Sequence, residues 1–286
     1  METVSTIAEL RRSLAGARAG GRSVGLVPTM GALHDGHVSL LAAARDECDV
    51  VVMSLFVNPA QFGAGEDLDA YPRDEARDSE IASAAGVDLL FAPEAGEMYP
   101  AAFATRVVVA GVTERLEGAA RGVTHFDGVA TIVTKLLHIV EPDVAYFGQK
   151  DAQQAIVVRR LVADLDIRVR VEVLPTVRAE GGLALSSRNA YLTAAERERA
   201  TGLSRALAVA AAAISDGERD GAAAAALARA ELAADAIEPE YLAIVDPETL
   251  EDVETVQGPV LVAVAARIGR TRLIDNVIAI PSNHHE

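Results

Sequence analysis

Tryptophan is absent, cysteine occurs once, and only two of the 26 basic residues are lysines. A lone Cys48 cannot close an internal disulfide, so the expected setting is a reducing, cytoplasmic one. No apolar run reaches the roughly 18 residues that a membrane span requires. The opening METVSTIAELRRSLAGARAGGRS lacks a basic segment followed by an apolar core, so it does not read as a secretory signal. Positive charge is scarce too. A formal net charge of −16 argues against a nucleic-acid partner or an anionic membrane surface, both of which need basic footprints. It leaves room for a small anionic substrate, because a local basic pocket can outweigh the global field. Against the arginine background, Lys135 and Lys150 stand out.

What is present is hydrophobic material, 50% of 286 residues, enough for one large domain or two smaller ones. Short β-branched runs at Val24–Val27, Val50–Val57, Asp88–Phe91, Val144–Phe147 and Arg168–Leu174 alternate with helix-like segments. The latter are His37–Arg45, Asp74–Ala85, Gly128–Val140 and Asp151–Asp164, and Arg106–Val109 is a candidate extra strand. Unbroken apolar strands alternating with helices predict an α/β fold, a parallel sheet covered on both faces. Beyond Thr176 the pattern changes to two Ala-rich helical stretches, Ala194–Asp216 and Asp220–Ala236. Strand-like segments Glu240–Val245, Val260–Ile268 and Arg272–Ile280 follow. The expectation is a Rossmann-like parallel-sheet domain over residues 1–176 and a smaller α+β domain over 177–286. The closing SNHHE reads as a frayed end, with His284 and His285 as minor metal candidates.

The stretch VGLVPTMGALHDGHVSLLAAAR, Val24 to Arg45, carries the chemistry. An apolar run gives way to a small loop with Gly31 and Gly36, and then to a helix-like pattern near His37. A metal site would need more ligands than His34 and His37. The other histidines are His125, His138 and the tail, and no Cys cluster or H-E-x-x-H is present. Phosphate suits the stretch better. A Gly-rich loop lets backbone N–H groups approach a ligand, the helix directs its positive end there, and imidazoles donate to phosphate oxygens. Neither G-x-x-x-x-G-K nor G-x-G-x-x-G occurs in the loop. H-x-G-H after the first strand is instead the mark of the nucleotidyl-transferring α/β superfamily.

Four blocks then occur in order: VPTMGALHDGH, SLFVNPAQFGAGEDLDAYPR (Ser54–Arg73), YFGQKDAQQ (Tyr146–Gln154) and LALSSRNAYL (Leu183–Leu192). Together with TRLIDN (Thr271–Asn276), they resemble the pantothenate synthetase family. The resemblance implies ATP-dependent joining of D-pantoate to β-alanine through an enzyme-bound pantoyl adenylate, with release of AMP and pyrophosphate. Mg²⁺ would accompany ATP, and the enzyme would be a homodimer. The implied catalytic groups are His34, His37 and Lys150. The ATP site would comprise Met30, Gly31, Ala32, Leu33, His34, Asp35, Gly36 and His37. It would also take in Gly148, Gln149, Lys150, Asp151, Val177, Leu185, Ser186, Ser187 and Arg188. Residues 177–286 would close over it. Gln61 and Gln154 would bind pantoate, with Gln61 also orienting β-alanine. Asp78 is the candidate for direct contact with Mg²⁺.

There are departures. Gln149 and Ala152 stand where the family often has an acidic and an aromatic residue, and Leu185 where Met is usual. Arg77 precedes Asp78 where magnesium-binding relatives have neighbouring acidic residues. Arg121 lies one residue further from His125 than the commoner spacing, which weakens any substrate role for it. Two rival readings accompany the ligase: a plain nucleotidyltransferase, and a non-catalytic protein on a decayed ligase scaffold. A class I aminoacyl-tRNA synthetase shares H-x-G-H but would carry a tRNA-binding module or basic surface, and none is visible.

Overall fold

The computed structural model describes residues 1–63 and 65–282; His284 and His285 lie outside them. The chain divides into two compact units, Met1–Gln149 with Gln153–Pro175, and Lys150–Ala152 with the chain from Thr176 onward.

The first unit is α/β. In chain order it runs β1 (Glu2–Val4), α1 (Ile7–Ala19), β2 (Val24–Thr29), α2 (Asp35–Glu47), β3 (Val50–Leu55), α3 (Glu75–Ala84) and β4 (Leu89–Phe91). It continues through α4 (Ala95–Met98), α5 (Glu117–Arg121), α6 (Val123–Val140), β5 (Val144–Gly148), α7 (Ala152–Asp164) and β6 (Arg170–Leu174). The six strands pair in parallel in the order β1-β4-β3-β2-β5-β6. The order reverses between β2 and β5. In such sheets ligands bind beyond the carboxyl ends of the strands at this switch point. The loop Met30–His34 leaves the carboxyl end of β2 there.

Val50–Met53 of β3 are buried without alternation, as expected of a strand covered on both faces. Gly25 is required in β2 by close packing. A Cβ there would stand 3.0 Å from Cys48 Sγ and 3.3 Å from the Tyr146 ring. Cys48 is thus a core-packing group, and burial pushes its thiol pKa up.

Several features differ from the sequence reading; among them, α4 and α5 are additional helices, and α6 begins at Val123 and not at Gly128. Residues 106–109 form no strand, because the Val107 N–H donates to Thr131 Oγ1 of α6 (3.0 Å) rather than to a sheet partner. α2 begins at Asp35, two residues before the expected His37. The N-terminus adds β1 and α1, the latter opened by a reciprocal cap between Thr6 and Glu9.

The second unit contains α8 (Ala194–Ser215), α9 (Gly221–Ala234), β7 (Pro239–Val245), β8 (Val260–Ile268) and β9 (Thr271–Ala279). The strands form an antiparallel sheet in the order β7-β8-β9. α8 and α9 pack on each other and on the sheet. Ala200, Ala206, Ala210, Ala224 and Ala228 are fully buried there with Val262 and Val264. The alanine bias therefore builds a core in which small side chains let helices approach closely, and it is not low-complexity filler.

Candidate active site

Five amide groups of the loop and of the first turn of α2 find acceptors inside the protein. Asp78 of α3 takes two: Oδ2 accepts from Ala32 N–H (2.9 Å) and Oδ1 from Leu33 N–H (2.8 Å). Gly36 N–H donates to His34 Nδ1 (3.1 Å), His34 N–H to His37 Nδ1 (3.3 Å), and His37 N–H to the His34 carbonyl (2.7 Å). This corrects the sequence expectation for those amides. They do not reach out to a ligand, because Asp78 takes two of them and the α2 cap takes the other three.

The histidines consequently gain a defined role. His34 is the N-cap of α2 and His37 its third residue, and each ring receives a backbone N–H. A ring nitrogen that accepts cannot carry a proton, so the hydrogen-bond network assigns the proton of each neutral imidazole to Nε2. Both rings are therefore Nε2–H donors, with centroids 4.2 Å apart and planes inclined by 42°. Gly36 makes the arrangement sterically possible. A Cβ there would lie 2.8 Å from His34 Cε1 and 2.9 Å from its Nδ1. The H-x-G-H motif is thus a helix cap made of two imidazoles, with glycine as the clearance.

Gln61 lies in a 3-10 turn, Pro59–Gln61, and is buried. Its Oε1 accepts from Asn58 Nδ2 (3.0 Å), and its Nε2 donates to Met30 Sδ (3.1 Å). Asn58 is itself fixed: Nδ2 also donates to the Gly128 carbonyl (3.1 Å), while Oδ1 accepts from Ala60 N–H (3.3 Å) and Tyr99 O–H (2.7 Å). This leaves one orientation for the Gln61 amide, with its donor end away from Asn58. Burial pushes the Tyr99 phenol pKa up to about 12, so it stays a donor at neutral pH.

Around the same turn, Glu66 and Arg121 form a two-point ion pair, Nε–Oε1 at 2.8 Å and Nη2–Oε2 at 2.7 Å. Arg121 Nη1 lies 3.0 Å from His125 Nε2, and His125 Nδ1 lies 2.7 Å from the Gln61 carbonyl. His125 therefore donates through Nδ1 and accepts through Nε2. Burial, then the Arg121 charge, lowers its pKa to about 4. Burial alone would raise the Glu66 pKa, but the Arg121 hydrogen bond and charge outweigh it and hold it at about 2. Arg121 is thus engaged by a carboxylate, and its shifted spacing serves a contact that the sequence did not suggest.

Gln154 occupies the first turn of α7 and is half-buried, and among the described residues its amide meets no hydrogen-bond partner. Its neighbour Gln153 is structural. It accepts from Glu117 N–H (2.9 Å) and donates to the carbonyls of Val112 (2.7 Å) and Arg115 (2.8 Å).

In the second unit Lys150 follows β5, through Gly148 and Gln149, in a 3-10 turn completed by Asp151. Its Nζ lies 3.2 Å from Asp151 Oδ1. Asn276 Nδ2 donates to the Lys150 carbonyl (2.9 Å). The neighbouring Asp275, almost fully buried, holds Arg178 at two points, 2.6 and 3.0 Å. Leu185 N–H donates to the Val177 carbonyl (3.0 Å), and Ser186 caps the 3-10 turn that carries Ser187 and Arg188. The Asp-Asn pair of β9 thereby braces two of the expected ATP segments. Asn58, Tyr99, Glu66, Asp275 and Asn276 all went unassigned in the sequence. Asn58, Glu66, Asp275 and Asn276 do lie within the blocks that carry the resemblance, but their roles depend on partners far along the chain.

Direct metal ligation by Asp78 does not fit this donor set. Each carboxylate oxygen already accepts a backbone N–H, and the residue is 2% exposed. Among the described residues no group of three His, Cys, Asp or Glu side chains is placed to hold a metal ion, and no helix is long and apolar enough to cross a membrane.

The profile of the family described as pantoate-beta-alanine ligase matches residues 2–278. The chain belongs to this ligase family. The pantothenate synthetase of Moorella thermoacetica is 53% identical over 279 residues, covering 97% of this chain and 98% of that one. That of Rhizorhabdus wittichii is 54% identical over 283 residues, covering 99% and 100%. The crystal structure of pantothenate synthetase from Thermus thermophilus aligns over 98% of this chain and all of that one, with a TM-score of 0.93 at 49% identity. The pantoate-beta-alanine ligase from Francisella tularensis, complexed with beta-gamma ATP and beta-alanine, covers 98% of both chains with a TM-score of 0.81 at 32% identity. The activity of this ligase is the formation of pantothenate from pantoate and β-alanine.

Proposed function

We propose that the ligase works in two steps on ATP. In the first step a pantoate carboxylate oxygen attacks the α-phosphorus of ATP, the bond to the bridging oxygen breaks, and pyrophosphate leaves. The Nε2–H groups of His34 and His37 donate to oxygens that gain charge in this transfer. As Nε2–H donors they stabilise by hydrogen bonding, in keeping with a reaction governed by positioning and electrostatics. Lys150 and Arg188 supply positive charge to the phosphates, with Ser186 and Ser187 as hydroxyl donors and Val177 and Leu185 beside the base. Gly148, Gln149 and Asp151 flank the lysine. In the second step the unprotonated β-alanine amine attacks the acyl carbon, the acyl–oxygen bond breaks, AMP leaves, and the amine's surplus proton passes to solvent. The mixed anhydride is needed because a bare carboxylate has no adequate leaving group.

Gln61 and Gln154 hold pantoate. An amide can pair with a carboxylate or a hydroxyl without adding charge, and the fixed Gln61 amide has a second N–H, beside the one given to Met30 Sδ, for such an oxygen. The same donor end suits the β-alanine carboxylate in the second step. Mg²⁺ enters as the counter-ion of ATP. A cytoplasmic location agrees with one buried thiol, and a homodimer with the family resemblance.

The observation that carries the assignment is the reciprocal cap of His34 and His37, which commits both rings as Nε2–H donors. The test is pantoate-dependent exchange of labelled pyrophosphate into ATP, with Mg²⁺ and without β-alanine. Exchange is expected. AMP release only when β-alanine is present, with no exchange, would overturn the separate adenylate step.

A further inference from the structure

We propose that Asp78 is a positioning residue for adenylation, acting through the backbone of the Met30–His34 loop and not through a metal ion. This rests on the roles given above to His34 and His37. The loop takes an unusual path, with positive φ at two consecutive residues, Gly31 (91°) and Ala32 (52°). Glycine tolerates that region, but alanine does not adopt it without a cost that surrounding contacts must offset. Those contacts come from the two carboxylate oxygens of Asp78, one on the Ala32 amide and one on the Leu33 amide, at 2.9 and 2.8 Å.

The fit is close. A Cβ at Gly31 would stand 2.8 Å from Asp78 Oδ2 and 2.9 Å from Leu55 Cδ1, so the carboxylate packs directly beneath the turn. Asp78 sits in the first turn of α3, where the helix N-terminus favours an anion. It reaches the loop across 45 and 46 residues of chain. Leu33, the second residue it holds, is buried and immediately precedes the His34 cap. A rotation of the Ala32 or Leu33 peptide would therefore pass straight into the orientation of the two rings. Charge-assisted hydrogen bonds from both amides make the carboxylate a firm anchor. An amide in its place would offer one acceptor and one donor, so an N–H group would face a backbone N–H.

The test is Asp78→Asn, read in two ways. Hydrogen exchange of the unliganded full chain reports whether residues 31–34 lose protection. Steady-state kinetics report the KM for ATP and for pantoate, kcat, and the Mg²⁺ concentration for half-maximal rate. The expected result is faster exchange confined to the loop and kcat/KM for ATP lowered on the order of 10- to 100-fold, the scale for misplaced catalytic groups. The KM for pantoate and the Mg²⁺ requirement should stay as they were. Unchanged exchange, or a loss that extra Mg²⁺ restores, would overturn the proposal in favour of metal ligation. If Asp78→Asn does not fold, Gly31→Ala tests the same turn, since its Cβ would stand 2.8 Å from Asp78 Oδ2 and 2.9 Å from Leu55 Cδ1. Normal protection and kinetics in that variant would likewise overturn it. Should the enzyme show no pyrophosphate exchange, the adenylation reading fails, and loop protection still decides the anchoring role.

Discussion

Asn58 donates to the side-chain oxygen of Gln61 at 3.0 Å while Tyr99 donates to Asn58 at 2.7 Å, so a relay of three side chains sets which end of the Gln61 amide points toward Met30. Asn58→Asp removes the donors and puts a carboxylate against the Gln61 and Gly128 oxygens. The expected outcome is a reversed or displaced Gln61 amide and a pantoate KM raised by about tenfold, the equivalent of one lost hydrogen bond to a charged group. Tyr99→Phe removes one neutral hydrogen bond and should act in the same direction more weakly. Pantoate KM measured at saturating ATP checks both, and unchanged values would remove the relay from substrate binding.

The histidine cap separates two functions that alanine substitution would merge. Glutamine at position 37 can place an N–H near the site of Nε2, whereas asparagine can place an acceptor near that of Nδ1. His37→Ala should lower kcat by ~10²-fold, the scale for losing a transition-state donor. His37→Gln should retain more turnover than His37→Asn, and His37→Asn should keep more helix stability. If asparagine retains the greater kcat, the ring matters chiefly as a cap.

Acid should weaken the fold in two stages around Arg121. His125 is held neutral down to about 4, below its ordinary 6.5, so its contribution is complete above pH 6.5 and is lost as pH falls towards 4. Glu66 is depressed to about 2 from 4.5, so its contribution is present above pH 4.5 and is lost as pH falls towards 2. Thermal unfolding against pH should therefore show a downward slope between 6.5 and 4 that flattens in His125→Gln. An identical slope in the variant would place the acid sensitivity elsewhere.

Asp275 and Asn276 make separable predictions for the second unit. Asp275→Ala leaves the Arg178 guanidinium without its two-point partner and should destabilise by about 3 kcal/mol, the lower end for breaking a buried pair, in view of the partial exposure of Arg178. Chemical denaturation measures it. Asn276→Ala frees the Lys150 carbonyl and should raise the KM for ATP with little change in stability. A large loss of stability with normal ATP use would assign Asn276 to folding alone.

The alternation of β2, β3 and β5 with their helices was readable because fully buried strands leave unbroken apolar runs, whereas the strand order that puts the switch point between β2 and β5 is set by tertiary pairing. The loop histidines were readable as residues, but their protonation was not. It depends on which nitrogen meets a backbone amide, and the sequence does not contain that geometry. The Asp78 contacts were invisible for a different reason: a carboxylate 45 residues away finds the loop only after α3 packs beside α2. Residues 106–109 misled because β-branched composition looks the same whether the amide pairs with a strand or with Thr131. At α1, by contrast, the Thr6-x-x-Glu9 signal was present in plain sequence and marks a helix that apolar periodicity alone did not pick out.

The backbone leaves the first unit at Gln149, returns to it at Gln153 and leaves again after Pro175. A tripeptide of the second unit is therefore spliced into the sequence of the first. A fragment beginning at Thr176 would lack the Lys150 carbonyl that Asn276 grips. One cut cannot yield two whole pieces, so gene fusion or shuffling at the Pro175 junction would exchange an incomplete part.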